Sequence, residues 1–208
     1  MATSLKPYGL KPAYRLGNGA PSVLGFTLMK MYAGETYAIF NGDPVKLIAS
    51  STGRGHIQTL NTTLAATTVT SSGTPIGVFG GCQYTDPTSK KWLQRHFYPG
   101  AITSPADDAY AFVYDDPDLV YRIIADEAVP ATALGCNAAL IQTAVGSTAT
   151  GNSGLTLDGS SIANTATLPL RIVGFVNDPL SSVGDTYTEC YVRLNTHFHR
   201  QTTGVAAS

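Results

Sequence analysis

The chain has 208 residues, a formal net charge of -1 and a pI near 6.4, and only 13% of its residues are charged, about half the usual share of ~25%. Such a neutral surface lacks the basic footprint that phosphate-dominated attraction to nucleic acid requires, and no apolar run approaches the ~20 residues of a membrane helix. The first residues, Met1-Ala-Thr-Ser-Leu-Lys-Pro7, have no apolar segment of the signal-peptide kind, so synthesis in the cytosol is expected.

Residues 1–30 read as an extended N-terminal arm. Pro7, Pro12 and Pro21, with Gly9, Gly17, Gly19 and Gly25, forbid a helix, while Tyr8, Leu10 and Tyr14 are apolar anchors that could contact a partner. A strand pair tucked against its own domain is the alternative for this segment. From residue 31 to 208 a single β domain is expected. Its first elements are Tyr37–Phe40 and Val45–Ile48, joined through Asn41-Gly42-Asp43-Pro44 as a hairpin, because Asn-Gly accepts positive φ at both turn positions. His56–Gln58 reads as a short strand, and the Thr/Ser-rich stretch 59–74 as a surface loop or edge strand around Thr67–Thr70.

Pro75–Tyr84 is the next strand, its glycines marking a bulge or a close backbone approach. Trp92–Pro99 adds an aromatic segment. Two strand-like runs, Tyr110–Tyr114 and Leu119–Asp126, flank a turn at Asp115-Asp116-Pro117-Asp118 that no helix tolerates. One helical turn ending at Gly135 and an exposed connection over Gly146–Gly154 follow. Leu168–Phe175 and Thr186–Asn195 close the fold; in the latter Cys190, Val192 and Leu194 alternate with Glu189, Tyr191 and Arg193, which places one face in a core. The fold class is therefore all-β, a sandwich or jelly-roll-like barrel.

Chemistry is sparse. Cys82, Cys136 and Cys190 lack the spacing of zinc or redox sites and read as reduced, mostly buried thiols. His197-Phe198-His199 has metal-ligand spacing for a strand but no evident third ligand among Glu189, His56 or His96, so no metal is assigned. Asp115, Asp116 and Asp118, like Asp107 and Asp108, miss the spacing of a calcium loop. Gly151-Asn-Ser-Gly154 lacks the full nucleophile-elbow pattern, and neither Gly53-Arg-Gly55 nor Gly77–Gly81 leads into a P-loop helix. No catalytic residue and no cofactor is expected. The aromatic segment Tyr84, Trp92, Phe97 and Tyr98, interleaved with Lys90, Lys91, Arg95 and His96, reads as a protein contact patch, or in the alternative as a stacking surface for sugars.

Taken together, several segments resemble a family of small virion structural proteins of tailed bacteriophages. They are Gly9-Leu-Lys-Pro-Ala13, Asn41-Gly-Asp-Pro-Val45, Pro75-Ile-Gly-Val-Phe79 with Tyr84-Thr-Asp86, Val113-Tyr-Asp-Asp-Pro-Asp118, Gly146-Ser-Thr-Ala-Thr-Gly-Asn-Ser153, Leu170-Arg-Ile-Val-Gly174 and Val192-Arg-Leu-Asn195. The resemblance implies a decoration, or cement, protein on the outer capsid surface, made in the host cytoplasm, with the major capsid protein as partner. A homotrimer would suit the three-fold positions of a shell. A carbohydrate-binding host-attachment module, or a neck or tail component, is the alternative.

Overall fold

The fold was obtained as a computed structural model, and the structure describes residues 5–17, 25–48, 55–60, 68–69, 74–102, 108–179 and 181–201. The expectations on Asp107, on Gly53-Arg54 and on most of the Thr/Ser-rich stretch lie outside these residues. Among the described residues the strands are β1 (Lys11–Arg15), β2 (Thr27–Lys30), β3 (Ile39–Phe40), β4 (Pro44–Leu47), β5 (Ile57–Thr59), β6 (Thr68–Val69), β7 (Pro75–Thr85), β8 (Trp92–Arg95), β9 (Phe97–Tyr98), β10 (Tyr110–Tyr114), β11 (Leu119–Ile124), β12 (Asn137–Gln142), β13 (Leu155–Ala163), β14 (Leu170–Phe175) and β15 (Glu189–Leu194). The protein is all-β and its sheets are antiparallel. One sheet runs β1-β11-β15-β14-β12-β13 with β6 added beside β12; a second runs β2-β10-β7-β4-β5 with β8 added beside β7; β3 and β9 form a two-stranded ribbon.

Two apolar clusters hold these sheets. Leu119, Tyr121, Ile123, Leu140, Leu157, Ile172 and Val192 centre the first, on the seven-stranded sheet. Val45, Ile57, Phe79, Cys82, Ala111 and Val113 centre the second, between the six-stranded sheet and Ile39 and Tyr98 of the ribbon. The alternation in β15 is as the sequence indicates, with Cys190, Val192 and Leu194 inside. The turn at Asp115–Asp118 is also present, but it passes the chain from one sheet to the other: β10 lies in the six-stranded sheet and β11 in the seven-stranded one. Asp116 fixes it by accepting the Asp118 N–H at 2.9 Å, and the Tyr121 hydroxyl donates back to the Tyr114 carbonyl at 3.2 Å. In β7 the glycines do mark a bulge, since Phe112 and Val113 of β10 face Gly81 and Phe79 and skip Gly80.

The Asn41-Gly42-Asp43 turn closes no hairpin. Strand β3 pairs with β9, whereas β4 pairs with β5 and β7. What holds the turn is a set of long-range bonds. The Asn41 amide N–H donates to Gly151 O at 2.9 Å and its carbonyl accepts the Ser153 N–H at 3.0 Å; its side-chain Nδ2 donates to Gly80 O at 2.8 Å. Gly42 donates to Phe79 O at 2.9 Å and accepts from the Leu10 N–H at 3.0 Å. The buried Asp43 carboxylate accepts the Phe40 N–H at 2.7 Å and the Ser153 hydroxyl. Lys11 Nζ reaches Asn41 Oδ1 at 2.6 Å, Asn152 Oδ1 at 2.9 Å and the Asn41 carbonyl at 3.3 Å, which occupies all three ammonium protons. One turn thus ties the N-terminal strand, β7 and the start of β13 to each other.

The first thirty residues, expected as an arm, contribute β1 to the edge of the seven-stranded sheet and β2 to the edge of the six-stranded sheet. Strands β12 and β13, read as no element in the sequence, form the pair at the end of the seven-stranded sheet opposite β1. The single helical turn ending at Gly135 is present as a 3-10 turn over Ala131–Ala133, with Gly135 at φ +83.

Two outcomes follow for the Asn41–Asp43 turn. A Cβ on Gly42, at φ +102, would stand 2.8 Å from the Tyr8 carbonyl oxygen and 2.9 Å from the Leu10 nitrogen. Gly42→Ala should therefore cost about 3 kcal/mol or more in urea unfolding, against about 1 kcal/mol for Gly184→Ala, whose Cβ meets nothing within 4 Å. Burial raises Asp43 to about 6, against the Ser153 and Phe40 bonds and the Lys11 charge that favour its anion. Because the folded state then holds the proton more tightly than the unfolded chain, Asp43 contributes most below pH ~4 and its contribution is lost as pH rises through about 6. Relative to Asp43→Asn, the wild type should lose on the order of 3 kcal/mol between pH 4 and pH 7, read as the difference between their unfolding free energies.

Candidate interaction surface

The two faces of the six-stranded sheet are used differently. Strand register decides which side chains share a face: Leu28 opposes Phe112, Lys30 opposes Tyr110, Tyr110 opposes Gln83, and Gln83 opposes Gln94. Trp92 lies two residues from Gln94 and so points the same way. Cys82, Tyr84, Ala111 and Val113 face the opposite side and fill the second core. At one end of the first face Tyr114 packs onto the core of the seven-stranded sheet. Apolar side chains are exposed elsewhere along the sheet: at its β2 edge Leu28 is 48% exposed and Phe26, 54% exposed, sets its ring edge against Phe112 at 4.7 Å, and on β8 Trp92 is 54% exposed.

Of the four aromatics assigned to a contact patch, Trp92 alone projects outward. Phe97 is half-buried and stacks on Phe40 at 5.6 Å. Tyr98 is 2% exposed and meets Tyr84, itself 4% exposed, edge-on at 6.1 Å; burial and the Glu35 charge push its phenol up to about 12. Tyr84 and Tyr98 are therefore core residues, because their strands turn them toward the second cluster.

The arm anchors are likewise engaged at home. Leu10 is fully buried in the first core. Tyr14, on β1, is half-buried with its ring edge-on to Tyr191 at 5.4 Å. Tyr8 sits beside Arg122 and Glu189, and burial, followed by the Glu189 charge, raises its phenol. Arg122 in turn pairs with Glu189 and, at 3.1 Å, with Asp178.

Beside the open face lie two small cavities that share Gln94, Arg95 and His96. One, of about 260 Å³, adds Gly80, Gly81 and Phe112; the other, of about 220 Å³, adds Phe97 and the Thr148–Gly151 loop. Thr148, Ala149 and Thr150 are exposed, as expected for this connection, whereas Gly151, Ser153 and Gly154 are buried where the chain enters the Asn41–Asp43 turn.

His197 and His199 do not form a strand pair facing one way. His197 caps the 3-10 turn Phe198–Arg200 and is 1% exposed, while His199 lies within that turn at the surface, its Nε2 3.7 Å from Asp115. The neighbouring aspartates are held by cations and hydroxyls: Arg15 on Asp116 at 2.9 Å, Arg200 on Asp118, and the Thr27 hydroxyl on Asp115 at 2.9 Å. Among the described residues, Asp126, Glu127 and Asp158 bring three carboxylates within 4.8 Å of one another. Asp126 also accepts the Gly159 N–H, and Asp158 the Ser160 and Ser161 N–H groups, as turn-forming bonds. Cys82 and Cys190 are buried free thiols, each pushed up to about 12 by burial, and Cys136 is a half-buried one.

No family model, no curated protein and no solved structure matches this chain. The residues sequence reasoning missed are Phe26, Leu28 and Phe112. The signal was present in Phe26-Thr-Leu-Met-Lys30, whose apolar alternation has the period of a strand, but the surrounding glycines and prolines gave the whole segment the look of an arm.

Proposed function

We propose that this chain is a structural protein of a tailed-bacteriophage virion that decorates the outside of the head and links neighbouring major capsid protein subunits. The observation that carries the reading is the exposed apolar surface on the six-stranded sheet: Phe26 and Leu28 along its β2 edge, and Trp92 on β8 farther across the same face. An apolar, aromatic-bearing patch on a weakly charged protein is the kind of surface that anchors a protein partner. The segments that carry the phage resemblance support it further, since Gly9, Asn41–Asp43, Phe79 and Ser153 converge on the turn that organises the fold.

Decoration acts by mass action: a protein that binds the expanded shell better than its dissociated subunits stabilises the shell by the difference. Many modest contacts repeated by symmetry suffice, and a homotrimer would place three copies of the face around each three-fold position. The contact residues assigned here are Phe26, Leu28 and Trp92. Leu10 serves the interior instead. A second reading, glycan binding, draws on Trp92 beside the two cavities at His96.

The test is co-sedimentation of the purified chain with expanded heads that lack it. The wild type should saturate a fixed number of sites, with the emission of Trp92, the single tryptophan, shifting to shorter wavelength on binding. The doubly substituted Phe26→Asp/Leu28→Asp protein, with unchanged unfolding free energy, should bind at least tenfold more weakly. Undiminished binding by that variant refutes the assigned face. Saturable glycan binding that is lost in Trp92→Ala, without any affinity for heads, establishes the second reading in its place.

A further inference from the structure

The segment that follows β15 carries a feature the decoration reading does not use. His197 is 1% exposed and stands at the start of the Phe198–Arg200 turn, where its Nδ1 accepts the His199 N–H at 3.2 Å and its carbonyl accepts the Arg200 N–H at 2.9 Å. A ring nitrogen that accepts a hydrogen bond carries no proton, so the imidazole in this turn is neutral with its proton on Nε2. That Nε2 is buried and has no hydrogen-bond partner among the described residues. The turn in turn holds the corner between the two sheets, through Arg200 on Asp118 and His199 facing Asp115.

We propose that His197 makes the Phe198–Arg200 turn an acid-released latch: a proton arriving on Nδ1 converts the capping acceptor into a donor aimed at the His199 N–H, and the turn lets go of the Asp115–Asp118 corner.

The groups facing His197 set the direction. From the β10–β11 corner come Asp115, Asp116 and Asp118, which favour an imidazolium. Asp116 is already paired with Arg15 of β1, and Asp118 with Arg200. From its own segment His199 opposes a second positive charge. Strand β7, which packs against the turn, brings Cys82 and Tyr84 as its titratable groups, both raised by burial and neutral near pH 7. Burial dominates, and with His199 it lowers His197 to about 4 despite the three carboxylates. The closed turn therefore binds the proton less tightly than the open one. Closure is fully favoured above the ordinary histidine value of about 6.5 and weakens as pH falls toward 4. With these two values the opening constant rises about 30-fold between pH 7.5 and pH 5.

Amide hydrogen exchange of the full chain, followed by NMR from pH 7.5 to 5, tests the latch. The His199 and Arg200 amides are read after correction for intrinsic exchange and relative to β15 core amides. Their opening should rise about 30-fold in the wild type and change less than about threefold in His197→Asn, since Asn caps a turn without titrating. Imidazole ¹⁵N shifts of the wild type should show a neutral ring protonated on Nε2 at pH 6. Constant protection down to pH 5, an equal rise in His197→Asn, or an imidazolium at pH 6 with the turn still protected overturns the proposal. Should His197→Asn fail to fold, the wild-type tautomer and exchange profile decide it alone.

Discussion

The buried turn at Asn41, Gly42 and Asp43 is the constraint on which the rest of the structure depends. Its peptide groups bond to Leu10, Phe79, Gly151 and Ser153, segments that come from both large sheets and from the N-terminal strand. Its two charges, Asp43 and Lys11, lie beside each other in surroundings that disfavour both, since burial raises the acid and lowers the amine to about 8. The attraction between the buried Asp43 and the half-buried Lys11 adds little net stability, but removing either leaves the other less compensated. It acts to specify: only one arrangement of the N-terminal strand, β7 and the β13 entry satisfies all these groups at once.

That arrangement has a consequence for the surface. Because Gly42 accepts the Leu10 N–H and Lys11 reaches Asn41 and Asn152, the N-terminal segment is drawn into the domain and β1 caps the edge of the seven-stranded sheet. Strand β2 then borders the six-stranded sheet, and its register against β10 stacks Leu28 beside Phe112 on the side away from the second core. Any reach toward a partner comes from this sheet face and its edge, and no longer from the anchors Tyr8, Leu10 and Tyr14.

Much of the β architecture was legible in the sequence, because strands with strong alternation or β-branched and aromatic content announce themselves: β7, β10, β11 and β15 all do. Asn137–Gln142 and Leu155–Ala163 did not, since their Ala, Gly, Ser and Asn content is poor in β-branched residues and their burial comes from neighbours that no local window contains. Asn41-Gly42 was legible as a turn and misleading as a hairpin, because a turn signal is local whereas strand pairing is set by tertiary contacts. At the candidate surface, Trp92 was identifiable, but Tyr84 and Tyr98 were not separable from it: their inward direction is set by the pairing of β7 with β8 and of β9 with β3, a feature of register and not of composition.

The functional account joins a rigid, hydrogen-bonded interior to an open apolar face of low charge, which suits repeated attachment to a protein lattice. Imaging of intact particles, with and without this chain, tests that claim most directly. The account predicts density for the chain outside the shell, around three-fold positions, with the β2, β8 and β10 face of the six-stranded sheet turned toward the major capsid protein. Particles that contain no such density, or that bind the chain through the seven-stranded sheet with the Phe26, Leu28 and Trp92 face pointing into solvent, would contradict it.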